Sequence, residues 1–412
     1  MARLSLMSLQ WPKAVRIAVW QSQFLNPHMS YKAAISVAIC ARDAAHTIRR
    51  AMESVPEGLP VVLVDDASVD NTAGVAVACG RGPVKLSKRS FSRGIGDARQ
   101  VALDLVETPY ALWLDADDEM LPGRADSMLA QLEAGADLVF DPVILVDDET
   151  VSRDRLLPVP DFLRRPDGVL RCFERNWIPM IAGGFRTEFA KRIGYDTTLK
   201  TGEDYDFLLR ALLDGATVRF CDEAGYRYHH RNNSLSRNLK MSLANTRRVL
   251  AKTAISALER KILSSRLPRA EAHYTLAATA LWRRDRDAVE RHTASMTEAA
   301  AIPPYGRPAR DLAIFLRASA RLLVGRADDA VSLLRPLAAD CSWAEVENNL
   351  GVAYRKIGNR TDAEICFARA LLENPDYGDA RYNLDSHGEG DGDDARFTLL
   401  PLRPVPDRAE YG

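Results

Sequence analysis

Long apolar runs are missing from this 412-residue chain, and so are paired cysteines and any marked excess of one charge. No stretch approaches the roughly 20 apolar residues that a membrane span requires. Met1 to Trp20 alternate apolar and polar residues, whereas a secretory leader would carry a continuous apolar run. A cytoplasmic protein, held at a membrane surface at most peripherally, is therefore expected. The six cysteines are scattered with no Cys-x-x-Cys pair, which speaks against a disulfide framework or a zinc ribbon and leaves reduced thiols or small core residues. A formal net charge of −1 removes the whole-chain electrostatic case for nucleic acid, because covering a phosphate backbone takes a basic excess. Also missing are a Gly-Lys phosphate loop, His-Glu-x-x-His and the Gly-x-Ser-x-Gly elbow. Gly94-Ile-Gly96-Asp-Ala-Arg99 carries Arg where a dinucleotide fingerprint has its third glycine.

What is present is a balance of 27% charged residues and 47% hydrophobic ones over a length that predicts two folded domains. From Ala33 to about Leu145 short apolar runs alternate with one-sided helices, the signature of a parallel sheet with crossover helices. Ala34 to Cys40 reads as a buried strand, and Asp43 is placed to cap the helix after it, in which Ile48, Ala51, Met52 and Val55 share a face. Pro60 to Val64 gives the second strand, Val84 to Leu86 a third and Tyr110 to Leu114 a fourth. Two acidic clusters, Asp65-Asp66 and Asp115-Ala-Asp117-Asp118, fall where strands end, and open parallel sheets bind ligands at their carboxyl edge.

Carboxylates so spaced can share one divalent cation. A hard ion such as Mg²⁺ or Mn²⁺, held by one or two carboxylates, keeps further positions for phosphate oxygens. Asp115, Asp117 and Asp118 supply candidate ligands. Glu203-Asp204-Tyr-Asp206 opens an amphipathic helix, where the acids either cap the helix or do chemistry.

In order along the chain, Ile35-Ser-Val-Ala-Ile39, Val64-Asp65-Asp66-Ala-Ser68-Val-Asp70-Asn-Thr72, Ala98-Arg99-Gln100, Leu114-Asp115-Ala-Asp117-Asp118 and Gly202-Glu203-Asp204-Tyr205-Asp206 resemble the inverting nucleotide-sugar glycosyltransferases of the GT-A fold, family 2 type, over roughly Ala33 to Ser236. The resemblance implies a UDP-sugar donor, with Asp66 on the nucleobase, Asp115 and Asp117 as the DXD pair at ribose and metal, and Asp204 as catalytic base. Asp118 extends the metal cluster, and Arg99 is a diphosphate candidate that a solvated helix face would explain equally well. The first loop, Cys40-Ala-Arg-Asp43, departs from the family's usual Thr and aromatic. Where many relatives place a His at the metal or phosphate this chain has Arg231, which leaves His229, His230 and Arg231 open as alternatives.

After about Asn238 the composition turns to Ala, Leu and Arg at helical period. Leu350, Gly351, Tyr354, Ala363, Phe367, Ala370 and Pro375 stand at tetratricopeptide offsets, and Gly325 and Ala330 precede Gly358 and Ala363 by one repeat. The expected organisation is an N-terminal extension (1–32), a GT-A glycosyltransferase domain (33–238), a helical linker (239–270), a tetratricopeptide-like array (271–384) and a disordered tail (385–412), the last from its Asp and Gly content. The array would recruit the acceptor, a peptide or protein on one reading and a glycan or lipid-linked intermediate on another, or would join two copies of the chain. A scaffold with a degenerate front domain is the alternative function, and a nucleotidyltransferase ranks below it, because Cys40 to Asp43 is too short and acidic for a triphosphate loop.

Overall fold

The computed structural model describes residues 34–147, 154–178, 182–230, 239–386 and 395–403. A mostly parallel sheet domain is followed by a helical region that also holds one short antiparallel pair, Ala301–Ile302 with Arg307–Pro308. Eleven strands build the front domain: β1 (Ile35–Ala41), β2 (Val61–Asp65), β3 (Val84–Lys88), β4 (Tyr110–Trp113), β5 (Glu119–Met120), β6 (Leu138–Phe140), β7 (Val143–Asp147), β8 (Arg155–Leu157), β9 (Gly184–Arg186), β10 (Val218–Phe220) and β11 (Tyr226–His230). They form a seven-stranded sheet in the order β10-β6-β9-β4-β1-β2-β3, and a four-stranded sheet in the order β5-β11-β7-β8. β1 lies between β2 and β4 and is parallel to both, and β9 runs antiparallel between β4 and β6.

The reason for this order is in the residue types. β1 and β2 are buried over nearly their whole length, as strands covered by helices on both faces must be. The helix Ile48–Ser54 turns Ile48, Ala51 and Met52 into that core. Asp43 does not cap it. The helix opens after Thr47 with no side-chain cap, because Asp43, at φ 50°, is used to join two loops: its Oδ1 accepts from the Val69 N–H at 2.8 Å, and its own N–H donates to Ser68 Oγ at 3.0 Å. The loops after β1 and β2 are thereby tied together at the carboxyl edge.

The second sheet serves the site through β11. It pairs antiparallel with β5, directly after the acidic turn, and parallel with β7, so the chain from Tyr226 onward comes back beside Asp118.

Residues 239–270, expected as a helical linker, hold the helices Leu239–Ala251 and Ile255–Leu263, and the first leads to Lys252, which pairs with both Asp196 and Asp206 of the front domain. The helix Arg269–Trp282 is seated on the 3₁₀ turn Gly168–Phe173: Thr279 Oγ1 donates to the Phe173 carbonyl at 2.8 Å and Trp282 Nε1 to the Glu174 carbonyl at 2.9 Å. Further helices follow as Arg286–Thr293, Ala309–Leu323, Ala327–Asp340, Ala344–Lys356, Arg360–Glu373 and Gly378–Asp385. Residues 395–403 depart from the expected disordered tail. They hold neither helix nor strand and bend at Leu399 and Leu400, with Leu400 buried, and the helical region supplies partners for the backbone of Arg396 and Thr398 that the acidic, glycine-rich stretch before them does not disclose.

Arg171 is the keystone between the two regions. Its side chain is wholly buried, donating through Nε and Nη2 to Glu174 at 3.0 and 2.8 Å and through Nη1 to Glu271 at 3.2 Å. Removing one partner from a buried ionic group leaves uncompensated charge. Arg171→Met is expected to lower the free energy of unfolding by about 3–5 kcal/mol, read from urea unfolding at neutral pH. A loss below about 1 kcal/mol would show that the two carboxylates need no cation.

Candidate active site

The carboxyl edge of β1, β2 and β4 collects side chains from segments far apart in sequence. Asp66 follows β2 and donates its N–H to the Ala41 carbonyl at 2.8 Å, which fixes its backbone against β1. Its carboxylate is buried, paired with Arg89 at 3.1 Å and accepting from Ser92 Oγ. Arg89 pairs in turn with Asp97. Neither Arg89 nor Ser92 belongs to a motif, and an arginine and a serine in a loop after a strand give no signal of their own.

Past β4, the acidic turn divides its carboxylates. Asp115 and Asp117 remain half-exposed, whereas Asp118 is fully buried. Asp118 Oδ1 accepts from the His229 N–H at 2.8 Å and Oδ2 from the Tyr226 hydroxyl at 2.7 Å. That hydroxyl also accepts from the Asp115 N–H at 3.1 Å. Burial pushes the Asp118 carboxyl well above the usual carboxylate range, and the charges of Asp115 and Asp117 push it further. Asp118 therefore braces the acidic turn against β11, and only Asp115 and Asp117 of the triplet face outward. Arg50 holds the same turn from the other side, donating to the Asp117 carbonyl at 2.5 Å.

Arg99 is not on a solvated helix face. On the helix Ile95–Leu105 it points inward and is buried, with its guanidinium over the Trp113 ring at 4.9 Å. Nη2 donates to Asp115 at 3.1 Å and Nε lies 3.0 Å from Glu203. Glu203 and Asp204 open the helix Glu203–Asp214, which begins behind Gly202 at φ 73°, a left-handed conformation that glycine adopts without strain. This start aims the first turn at the sheet edge.

The acids of that turn have different tasks. Asp206 is buried against Arg210, at 2.8 Å, and Lys252. Glu203 is pushed up to about 7, first by burial and then by the charge of Asp204, with Arg99 opposing. Asp204, half-exposed, is also raised, and the main cause is burial rather than the like-charge crowding suggested by sequence. Arg99 opposes the shift and Asp115 adds to it. Cys40, at the end of β1, is pushed up to about 12 by burial, with Asp115, Glu203 and Asp66 acting in the same direction and Arg99 against them. Arg99, in contact with both Asp115 and Glu203, brings the turn after β4 and the first turn of the helix Glu203–Asp214 together at the edge where Asp66 follows β2.

Asp115 and Asp117 are the partly exposed carboxylates of the triplet, and a hard cation takes one or two protein carboxylates and fills its remaining positions with phosphate oxygens and water. A cage is not preformed: among the described residues no group of three or more His, Cys, Asp or Glu is positioned to hold a metal ion. His229 is buried with Nε2 at 3.0 Å from Glu119 Oε2. His230 ends β11, its side chain lies outside the described residues, and so does Arg231.

A prediction follows from the Arg99 bridge. A carboxyl raised in the folded state, as Glu203 is from 4.5 to about 7, contributes its stability below its ordinary value and loses it as the pH rises through 7. Arg99→Met takes the opposing cation away and extends that loss upward, so urea unfolding is expected to show greater destabilisation at pH 8 than at pH 5. Equal losses at the two pH values would mean that Arg99 acts through packing on Trp113 alone.

Residues 36–191 match the family model for "Glycosyl transferase family 2". Among curated relatives, the succinoglycan biosynthesis protein ExoU of Rhizobium meliloti is 35% identical over 49% of this chain and 64% of its own length. ExoO of the same organism is 29% identical over 57% of this chain and 72% of its own. The pre-mycofactocin glycosyltransferase of Mycobacterium tuberculosis is 28% identical over 48% of this chain and 43% of its own. The chain thus spans somewhat less than two thirds of ExoU. Among solved structures, S. aureus TarS 1-349 in complex with UDP-GlcNAc has 17% identity and a TM-score of 0.46, covering 84% of this chain and 93% of that one. Residues 36–191, with a parallel sheet whose carboxyl edge gathers these acids, are thus similar to the glycosyl transferase family 2 domain.

Proposed function

We propose that the chain is a glycosyltransferase that moves a sugar from a UDP-linked donor to an acceptor hydroxyl or thiol with inversion and with the help of a divalent cation. The observation that carries this reading is the bridge by which Arg99 holds Asp115 and Glu203, the neighbour of Asp204, at the sheet edge where Asp66 follows β2. Asp115 and Asp117 would hold Mg²⁺ or Mn²⁺, which when bound supplies Lewis-acid stabilisation to the departing diphosphate. Asp66, fixed by Arg89 and Ser92, accepts from the uracil ring. Arg99 keeps Asp115 in place and balances the charge of Glu203. Asp204, opposite the leaving group, accepts the acceptor's proton as the new bond forms.

The two succinoglycan proteins favour a carbohydrate or lipid-linked carbohydrate as acceptor over a peptide. We read the helical region as a tetratricopeptide-type array in a cytoplasmic enzyme, available for acceptor recruitment or for pairing two copies. The described helices contain none long and apolar enough to cross a membrane.

Calorimetric titration with UDP and Mn²⁺ separates the enzyme from a scaffold. Binding is expected in the parent chain, and at least about 10-fold weaker in Asp117→Ala, the loss of one of two carboxylates on the ion. Full-rate donor turnover by that variant in EDTA would remove the metal from the mechanism. For the base, Asp204→Asn should lower kcat by about 100-fold or more. Because a base works deprotonated and Asp204 is raised, the parent's rate should fall on acidification from a higher pH than an ordinary aspartate would give. An unchanged pH profile in Asp204→Asn would assign the base elsewhere.

A further inference from the structure

The start of the helical region carries a local excess of positive charge. Residues 239–300 hold twelve Lys and Arg against six Asp and Glu, in a chain whose net charge is −1. Part of this excess is matched: Lys252 pairs with Asp196 and Asp206, Arg266 with Asp167 and Arg291 with Glu259. Arg247 lies on the helix Leu239–Ala251, Arg284 in the turn after the helix Arg269–Trp282, and Arg286 opens the helix Arg286–Thr293. Among the described residues none of these three has a carboxylate within ion-pair distance.

Two of the three are held at a cost. Arg247 Nε is shut off from water with no hydrogen-bond partner, which a buried donor rarely tolerates. The turn that carries Arg284 is fastened to the end of Arg247's own helix, because Arg283 Nη1 donates to the Leu250 carbonyl at 3.4 Å and to the Thr253 carbonyl at 2.5 Å. Like charges therefore crowd one junction: burial lowers the pKa of the Arg247 guanidinium, and the charge of Arg284 lowers it further. Arg284 is also strained, at φ 60° in the left-handed region. The helices Ala309–Leu323 and Ala344–Lys356 end alike, with Gly325 at φ 75° and Gly358 at φ 83° two residues past the helix end, where Arg284 stands. Glycine takes that conformation without strain, so the fold gives no reason for an arginine there.

Arg284 and Arg286 rim a shallow cleft whose apolar lining includes Leu281, Val289, Leu323 and the half-exposed Val324. The nearby acids are engaged elsewhere: Asp285 accepts from the Ala288 N–H at 3.0 Å as a helix cap, and Glu290 pairs with Arg317 and Arg321. A guanidinium bonds two phosphate oxygens at once, and apolar side chains beside it suit hydrocarbon attached to that phosphate. A bare anion would leave the cleft unused. Arg247's helix also touches the candidate active site, where Asn245 donates to Thr201 Oγ1 and Arg248 to Thr198 Oγ1 at 3.1 Å, just before Glu203 and Asp204.

We propose that Arg247, Arg284 and Arg286, with the apolar cleft beside them, bind the phosphate headgroup of an anionic lipid and so seat the chain on a lipid surface. The site lies outside the groups assigned to sugar transfer and stands whether or not the front domain transfers a sugar.

The test sediments the full chain with vesicles of phosphatidylglycerol and phosphatidylcholine in equal parts. Binding is expected there, and at least about 10-fold weaker with phosphatidylcholine alone. Arg284→Gly removes one cation and relieves its turn, so it should bind these vesicles about 5-fold less well while its thermal unfolding midpoint stays at or above the parent's. Arg247→Gln combined with Arg284→Gly should bind about 25-fold less well. UDP with Mn²⁺ should titrate both variants as it titrates the parent, which separates loss of this site from failure of the donor site. Absence of parent binding to the mixed vesicles, equal binding to both kinds of vesicle, or undiminished binding by the double variant would overturn the proposal. Binding of inorganic phosphate without binding of vesicles would assign the arginines to a soluble phosphate and overturn it as well.

Discussion

Acidic side chains can gather at one sheet edge only if their repulsion is met, and Arg99 meets it. Its buried guanidinium reaches Asp115 and Glu203 at once and rests on Trp113, so the turn after β4 and the first turn of the helix Glu203–Asp214 are held to one cation. Burial strengthens both contacts, because a charge removed from water is screened less. Trp113 is itself fixed by Tyr195, which stacks on Phe207 of that same helix, so the apolar layer beneath the guanidinium and the acids around it are one unit.

A second brace acts from behind. Tyr226 and the backbone of His229 occupy both oxygens of Asp118 and hold the Asp115 N–H, and they do so because β11 returns beside β5. The inner carboxylate braces the turn and leaves the outer two partly exposed. Further out, Arg171 and Lys252 bind the helical region to the front domain through buried carboxylates. The two regions therefore share an ionic boundary, and the segment that Asn349 and Asn383 hold by its backbone crosses it at Asn176.

Much of this was legible in the residues. Strands β1 to β4 and their helices were readable because buried parallel strands are continuously apolar and the helices repeat at 3.6 residues. The positions of Asp66, Asp115 and Asp204 at carboxyl edges or a helix start were readable for the same reason. The division of labour within each acidic cluster was not: Asp117 and Asp118 are neighbours of the same type, yet one faces out and the other is buried. Arg89 and Ser92 were invisible, since their role comes only from the approach of the loop after β3 to Asp66. The fate of residues 395–403 was misread because their own composition says nothing of Asn348, Asn349 and Asn383 on other helices.

By itself, the amino-acid sequence determined the alternation of strand and helix, the placing of carboxylates where strands end and the change to a mostly helical region, since these depend on local periodicity and on which residues avoid water. Tertiary structure alone decided which carboxylate is neutralised, braced or left partly exposed, and which backbone lies on the asparagines. Those outcomes depend on charge and hydrogen-bond partners that are distant in the chain, and only folding brings them within reach.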